Sequence, residues 1–200
     1  QHLRQSTLPL DDVATLVGTL SDNWATNALI AAVGGADVAD AGSRLLGVEG
    51  VHLHDIVRDT RTASDPPSLS TGTADGYASL FAQLWVRRAE PTPAMVLRWL
   101  ADGADLSMTA SAFGLDPLAH SEPDRGVRLV NKTGTDRGVR ADCGVIERRE
   151  TAVAYACIVN WDAAPRDDPE DPHPEDPDRD EILAAMRAVG EVIRTSLSDS

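Results

Sequence analysis

"LVNKTGTDRGVR", residues 129–140, contains Lys132, the only lysine in a chain of 200 residues that carries 18 lysines and arginines together. Every other long cation is arginine. The two are not interchangeable. An ammonium is compact and shifts its pKa on burial, whereas a guanidinium is broad and permanently charged. One retained lysine therefore marks a place where a small cation must sit among hydroxyls or change its proton affinity. The stretch itself reads as the end of one strand, a glycine turn and the start of the next strand.

Working outward, "GVRLVNKTG", "VRADCGVIER" and "TAVAYACIVNW" are short, rich in β-branched residues and bounded by turn residues. They predict antiparallel strands, the last two joined as a hairpin through "ERRE". "EILAAMRAVGEVIRTSL" has the period of an amphipathic helix and is expected to lie across the sheet. Before it, "DAAPRDDPEDPHPEDPDRDE" (162–181) is acidic, with a proline every few residues. Such a tract self-repels and buries no apolar surface, so it reads as a solvated loop. His173 within it belongs to that charge run.

Upstream the chain is helical in character. "LDDVATLVGTL" places Val13, Leu16, Val17 and Leu20 on one face, with Asp11 and Asp12 in the first turn. "WATNALIAAVGG" stops at Gly34 and Gly35, and "ADVADAGSRLLG" is a third, short helix. "VEGVHLHDIVRDTRTASDPPSLSTGTA" lacks helical period and reads as a long ordered loop. "ADGYASLFAQLWVRR" and "PAMVLRWLADG" resume the helical pattern, and both are expected to face the core, with their aromatics filling it. The chain is thus α/β: a helical subdomain over residues 1–121, then antiparallel strands and a covering C-terminal helix over 122–200.

A net charge of −14 and a pI near 4.6 exclude a phosphate-backbone partner. No apolar run reaches the roughly 18 residues that cross a bilayer, and the start, "QHLRQSTLPLDD", has no signal-peptide core. The sequence is compatible with a cytoplasmic or an exported protein. Cys143 and Cys157 are spaced for neither a metal pair nor a disulfide framework and read as buried strand thiols. "HLHD", residues 52–55, resembles part of a metallo-hydrolase signature but lacks its remaining ligands, and surface or packing histidines are the simpler reading. No metal or cofactor is expected.

Far upstream of Lys132-Thr133-Gly134 stands Ser21-Asp22-Asn23, immediately before an apolar helix. Alone, Ser21 or Asp22 reads as a helix cap, and Lys-Thr-Gly as a turn. Together and in this order they resemble the second and third motifs of class A β-lactamases and penicillin-binding proteins, a serine-hydrolase family marked by Ser-x-x-Lys, Ser-Asp-Asn and Lys-Thr-Gly. "WATNALIAAVGG" is similar to the helix that follows the second motif, and "TDRGVRADCGVI" to the turn after the third. The resemblance implies a β-lactamase-like fold and specific roles. Ser21 would relay a proton to the leaving nitrogen, and Asn23 would bind the substrate amide. Lys132 would supply positive potential, with Thr133 and Arg140 completing a carboxylate pocket on the Lys132-Thr133-Gly134 edge. The Thr135 backbone N–H would be an oxyanion donor. The implied ligand is a β-lactam or a peptide-like acyl compound.

Two departures qualify the resemblance. With one lysine, preceded three places earlier by Leu129, the sequence contains no Ser-x-x-Lys. The acylating serine is expected outside it, on a preceding segment or a separate polypeptide; the alternative is a catalytically silent ligand-binding module. In the long loop, where class A enzymes carry a Glu-x-x-Leu-Asn element, "HDIVRDTRTASD" has no glutamate. Asp55, Asp59 and Asp65 are the remaining carboxylates there.

Overall fold

The computed structural model describes residues 7–162 and 179–198. Its centre is an antiparallel sheet of β3 (Val127–Asp136), β4 (Val139–Arg148) and β5 (Thr151–Asn160), paired in the order β3-β4-β5. The sequence dictates the register. Asp136 pairs with Val139 around Arg137-Gly138, and Arg148 pairs with Thr151 around Arg149-Glu150, so both connections are two-residue hairpins. Arg149 and Glu150 adopt φ of 50° and 69°, the left-handed geometry that matches the twist of paired strands.

Alternation then assigns each residue a face. One face carries Val127, Leu129, Ile146, Val153 and Tyr155 against α6 (Arg179–Ser196) and a 3-10 turn at Thr109–Phe113. The other carries Val130, Cys143 and Val145 against Phe81, Leu84, Trp85 and Leu97 of α4 (Ala74–Val86) and α5 (Pro91–Leu100). The sheet is therefore filled on both sides, with the C-terminal helix across one face as expected. Cys143 pairs with Ala156, which puts Cys157 on the opposite face, and both thiols are free. Cys143 is buried as expected, whereas Cys157 is only half-buried.

Two helix contacts depend on glycine. A Cβ on Gly190 of α6 would lie 2.1 Å from the Thr109 carbonyl oxygen. On α1 (Leu10–Leu20), a Cβ at Gly18 would lie 2.1 Å from the Trp99 carbonyl oxygen of α5. The second contact corrects the expected face of this helix. Its buried residues are Ala14 and Gly18, and Leu20 is 62% exposed. Small residues let the backbones meet, and the bulkier ones flank the contact. Asp11 secures it by accepting hydrogen bonds from Trp99 Nε1 and Arg98 Nη2, both at 2.7 Å.

The remaining helices are α2 (Asn23–Ala32) and α3 (Ala36–Leu45). The segment read as one loop contains a ribbon: β1 (Val51–Leu53) pairs antiparallel with β2 (Ser70–Gly72) and pinches off residues 54–69. Helix α5 begins at Pro91, two residues before the proline read as its start, and Pro93 is buried within its first turn. Most of the acidic tract lies outside the described residues. Among those described, no helix is long and apolar enough to cross a membrane.

Candidate functional site

Ser21 occupies the corner between two helices. It ends α1 in the left-handed region, φ 52° and ψ 37°, with its N–H on Val17 O at 3.2 Å. Asp22 then caps α2, its Oδ1 accepting from the Ala25 N–H at 2.8 Å. The two cap readings thus separate: Asp22 serves the backbone, and the Ser21 hydroxyl is left free of it. Asn23, the first residue of α2, is exposed.

Lys132 reaches this hydroxyl from β3. Its Nζ donates to Ser21 Oγ, 111 residues away in sequence, and to the Thr133 carbonyl oxygen at 2.6 Å. Lys132 shares its sheet face with Val130, so the ammonium rises on the side where α4 and α5 pack. Burial pushes its pKa below the usual lysine value, and the nearby Asp105 and Asp142 carboxylates partly oppose this. A lysine so placed can hold or release a proton, which an arginine cannot.

Thr133, Gly134 and Thr135 continue along β3, an edge strand in the described sheet, with Gly134 and Thr135 exposed. Thr135 stands directly opposite Arg140. The Arg140 guanidinium donates to Asp136 O at 2.9 Å and Val139 O at 3.0 Å and lies 5.5 Å from the centre of the Trp161 ring. Arg140 is thus held at the sheet end, on the face opposite Lys132. A cation, two hydroxyls and the backbone of an edge strand of the described sheet can together receive a carboxylate and a polarised carbonyl.

The loop between β1 and β2 is ordered by charge. Asp55, 6% exposed, accepts from Arg58 Nε at 2.7 Å, from Arg58 Nη2 at 3.0 Å and from Arg61 Nη1. The Arg58 hydrogen bond holds its carboxyl well below the usual carboxylate range. Asp65 accepts from the Thr62 N–H and hydroxyl at 2.8 and 2.7 Å, and its carboxyl is also lowered. Carboxylates so stabilised are weak proton acceptors. Asp59 is exposed. His54 Nε2 bonds Thr71 Oγ1 at 2.7 Å, and no group of three metal-ligating side chains occurs among the described residues.

Trp161 and Asn27 are among the residues of this region that were not singled out by the sequence. Trp161 backs Arg140, as described. Asn27 ties α2 to the loop: its Nδ2 donates to Val57 O at 2.9 Å, and its Oδ1 accepts from Val57 N at 2.8 Å. A primary amide within an apolar helix, six residues after Ser21, was the available signal.

The sequence profile of the Beta-lactamase enzyme family matches residues 1–194. Comparison with curated proteins gives no match. Among solved structures, a β-lactamase from Sphaerobacter thermophilus DSM 20745 is 22% identical with a TM-score of 0.68, over 94% of this chain and 64% of its own. A mutant of PBP-A, solved as an acyl-enzyme complex with penicillin G, is 20% identical with a TM-score of 0.71, over 100% and 66%. A class A β-lactamase from Mycobacterium abscessus is 17% identical with a TM-score of 0.70, over 99% and 68%. The chain therefore spans somewhat under two thirds of the first two structures it matches.

Proposed function

We propose that this chain, which belongs to the β-lactamase enzyme family, carries the proton-relay and acyl-substrate half of a serine hydrolase whose nucleophile lies outside the sequence given. The observation that carries the proposal is the contact of Lys132 Nζ with Ser21 Oγ. It joins two motifs that have no structural need of each other. In this reading the nucleophilic serine, its proton taken by a base that likewise lies outside the sequence given, attacks the carbonyl of a β-lactam or related acyl compound, and the tetrahedral adduct collapses with cleavage of the C–N bond. Ser21 passes a proton to the departing nitrogen, and Lys132 recharges and polarises that hydroxyl. Thr133 and Arg140 take the substrate carboxylate on the edge that includes Gly134, and Asn23 bonds its amide. The Thr135 N–H receives the oxyanion, a contribution of about 2.7 to 4 kcal/mol for one such donor.

The loop between β1 and β2 favours a slow second step. Asp55 and Asp65 are both occupied and held acidic, so neither is suited to activate the water that would release the acyl group. A long-lived acyl adduct, as in penicillin binding, fits these residues better than rapid antibiotic hydrolysis.

Intact-mass spectrometry of the purified material, every polypeptide included, with and without a penicillin, tests both points. An adduct on a second polypeptide, persisting for hours, is the expected result. An adduct on this chain would mean a different nucleophile. No adduct on any polypeptide would overturn the enzyme reading in favour of a silent binding module.

A further inference from the structure

Asp142 is a buried ionisable group that the proposed chemistry leaves unused. Its side chain is 0% exposed. Oδ1 accepts from Asn131 Nδ2 at 3.0 Å and from Tyr155 OH at 2.9 Å, and Oδ2 accepts from the Ala110 N–H at 3.1 Å. The three donors come from β3, β5 and the 3-10 turn, so one carboxylate gathers three elements. A neutral amide could not replace it cleanly, because its NH2 would confront one of these donors.

Stability alone does not explain the choice of residue. A buried charge is expensive, and well-packed apolar residues of similar volume do as well or better. Its location is more informative. Asp142 is directly opposite Thr133, and its partner Asn131 immediately precedes Lys132. Asn131 is itself 2% exposed and lies across Gly144, where a Cβ would come within 2.4 Å of Val130 O and 2.8 Å of Asn131 Cβ. A glycine gap, an amide and a carboxylate thus fix the β3 backbone on both sides of Lys132. Asp142 also faces the ammonium through the sheet closely enough to favour its charged form.

We infer that Asp142 is a positioning residue for the cation site: acting through Asn131, its buried carboxylate holds Lys132 where the ammonium meets the Ser21 hydroxyl. The inference rests on reading Lys132 and Ser21 as one site. Its test needs no acyl chemistry, so the two readings fail separately.

The single lysine makes the test direct, because a protein grown on [13Cε]lysine gives one side-chain signal. In the parent, Ser21→Ala removes the acceptor and shifts that signal. In a folded Asp142→Asn background the same Ser21→Ala change is expected to move it by less than half as much, and the lysine to titrate at lower pH than in the parent. Asn131→Ala, which cuts only the link, is expected to reduce the Ser21→Ala shift likewise and carries the test if Asp142→Asn does not fold. Tyr155→Phe leaves the Asn131 link intact and should preserve the full shift. A full Ser21→Ala shift in folded Asp142→Asn or Asn131→Ala protein would overturn the inference and leave Asp142 a purely structural residue.

Discussion

Gly190→Ala tests the seating of the C-terminal helix and, through it, the underside of the site. The added methyl would stand 2.1 Å from the Thr109 carbonyl oxygen and 2.7 Å from Ala112 Cβ, whereas real Cβ contacts essentially never fall below 3.0 Å. About 0.9 Å must therefore be found by moving backbone, since the nearest obstacle is a carbonyl rather than a flexible side-chain end. Overpacking of this kind costs about 1–3 kcal/mol, with the upper end appropriate here. The alanine returns about 1 kcal/mol of helix propensity. The net expectation is a loss of about 1–2 kcal/mol. With a urea slope of about 2 kcal/mol/M, the midpoint should fall by about 0.5–1 M. Gly42→Ala in α3, where a Cβ meets nothing within 4 Å, gains the propensity alone and should raise the midpoint. Urea unfolding followed by circular dichroism reads both. A Gly190→Ala midpoint at or above the parent, with an unchanged slope, would refute the reasoning.

Ser21→Gly should leave stability within about 0.5 kcal/mol, because glycine tolerates φ 52° and the side chain serves no backbone group, yet it should abolish the Lys132 contact and any acylation. Thermal unfolding beside adduct formation separates the two effects. The Asp55 clamp stabilises the loop fully above the unfolded carboxylate pKa of about 3.9, and that contribution is lost as pH falls through the lower folded value. Limited proteolysis should therefore leave residues 54–69 intact at pH 4 and cut them there in Arg61→Ala protein. Burial pushes the Cys143 thiol up to about 12 and also raises that of Cys157. Iodoacetamide at pH 8 should accordingly add no mass to the folded protein in the time it adds two groups in denaturant.

The sheet was the most legible part of the chain, because β-branched runs separated by two-residue turns leave little freedom of register. The strands, the covering helix and the core role of Phe81, Leu84 and Trp85 all follow from such local patterns. The α1 face did not. Periodicity weights bulky residues, whereas the contact is made through Ala14 and Gly18, whose smallness matters only once Trp99 lies opposite. The β1–β2 ribbon escaped because each strand has three residues and its partner lies beyond a long loop. Around Lys132 the motif order was visible, and the structure sets Lys132 Nζ against Ser21 Oγ. Asp142 and Trp161 were not visible, since an aspartate on a strand and a tryptophan at its end acquire meaning only from neighbours distant in sequence.

The corner that presents Ser21 has a consequence for reading mutations. Its hydroxyl is carried by the end of α1, and α1 is aimed by Gly18 resting on the Trp99 carbonyl and by Asp11 gripping Arg98 and Trp99. None of those residues belongs to the groups proposed to meet a substrate, yet they set the bearing of the hydroxyl toward the ammonium as a mount sets the line of a lens. A survey of variants scored only by activity would mark Gly18 and Asp11 beside Ser21 and draw the site too large. Scoring folded protein alongside activity would separate the optics from the mount.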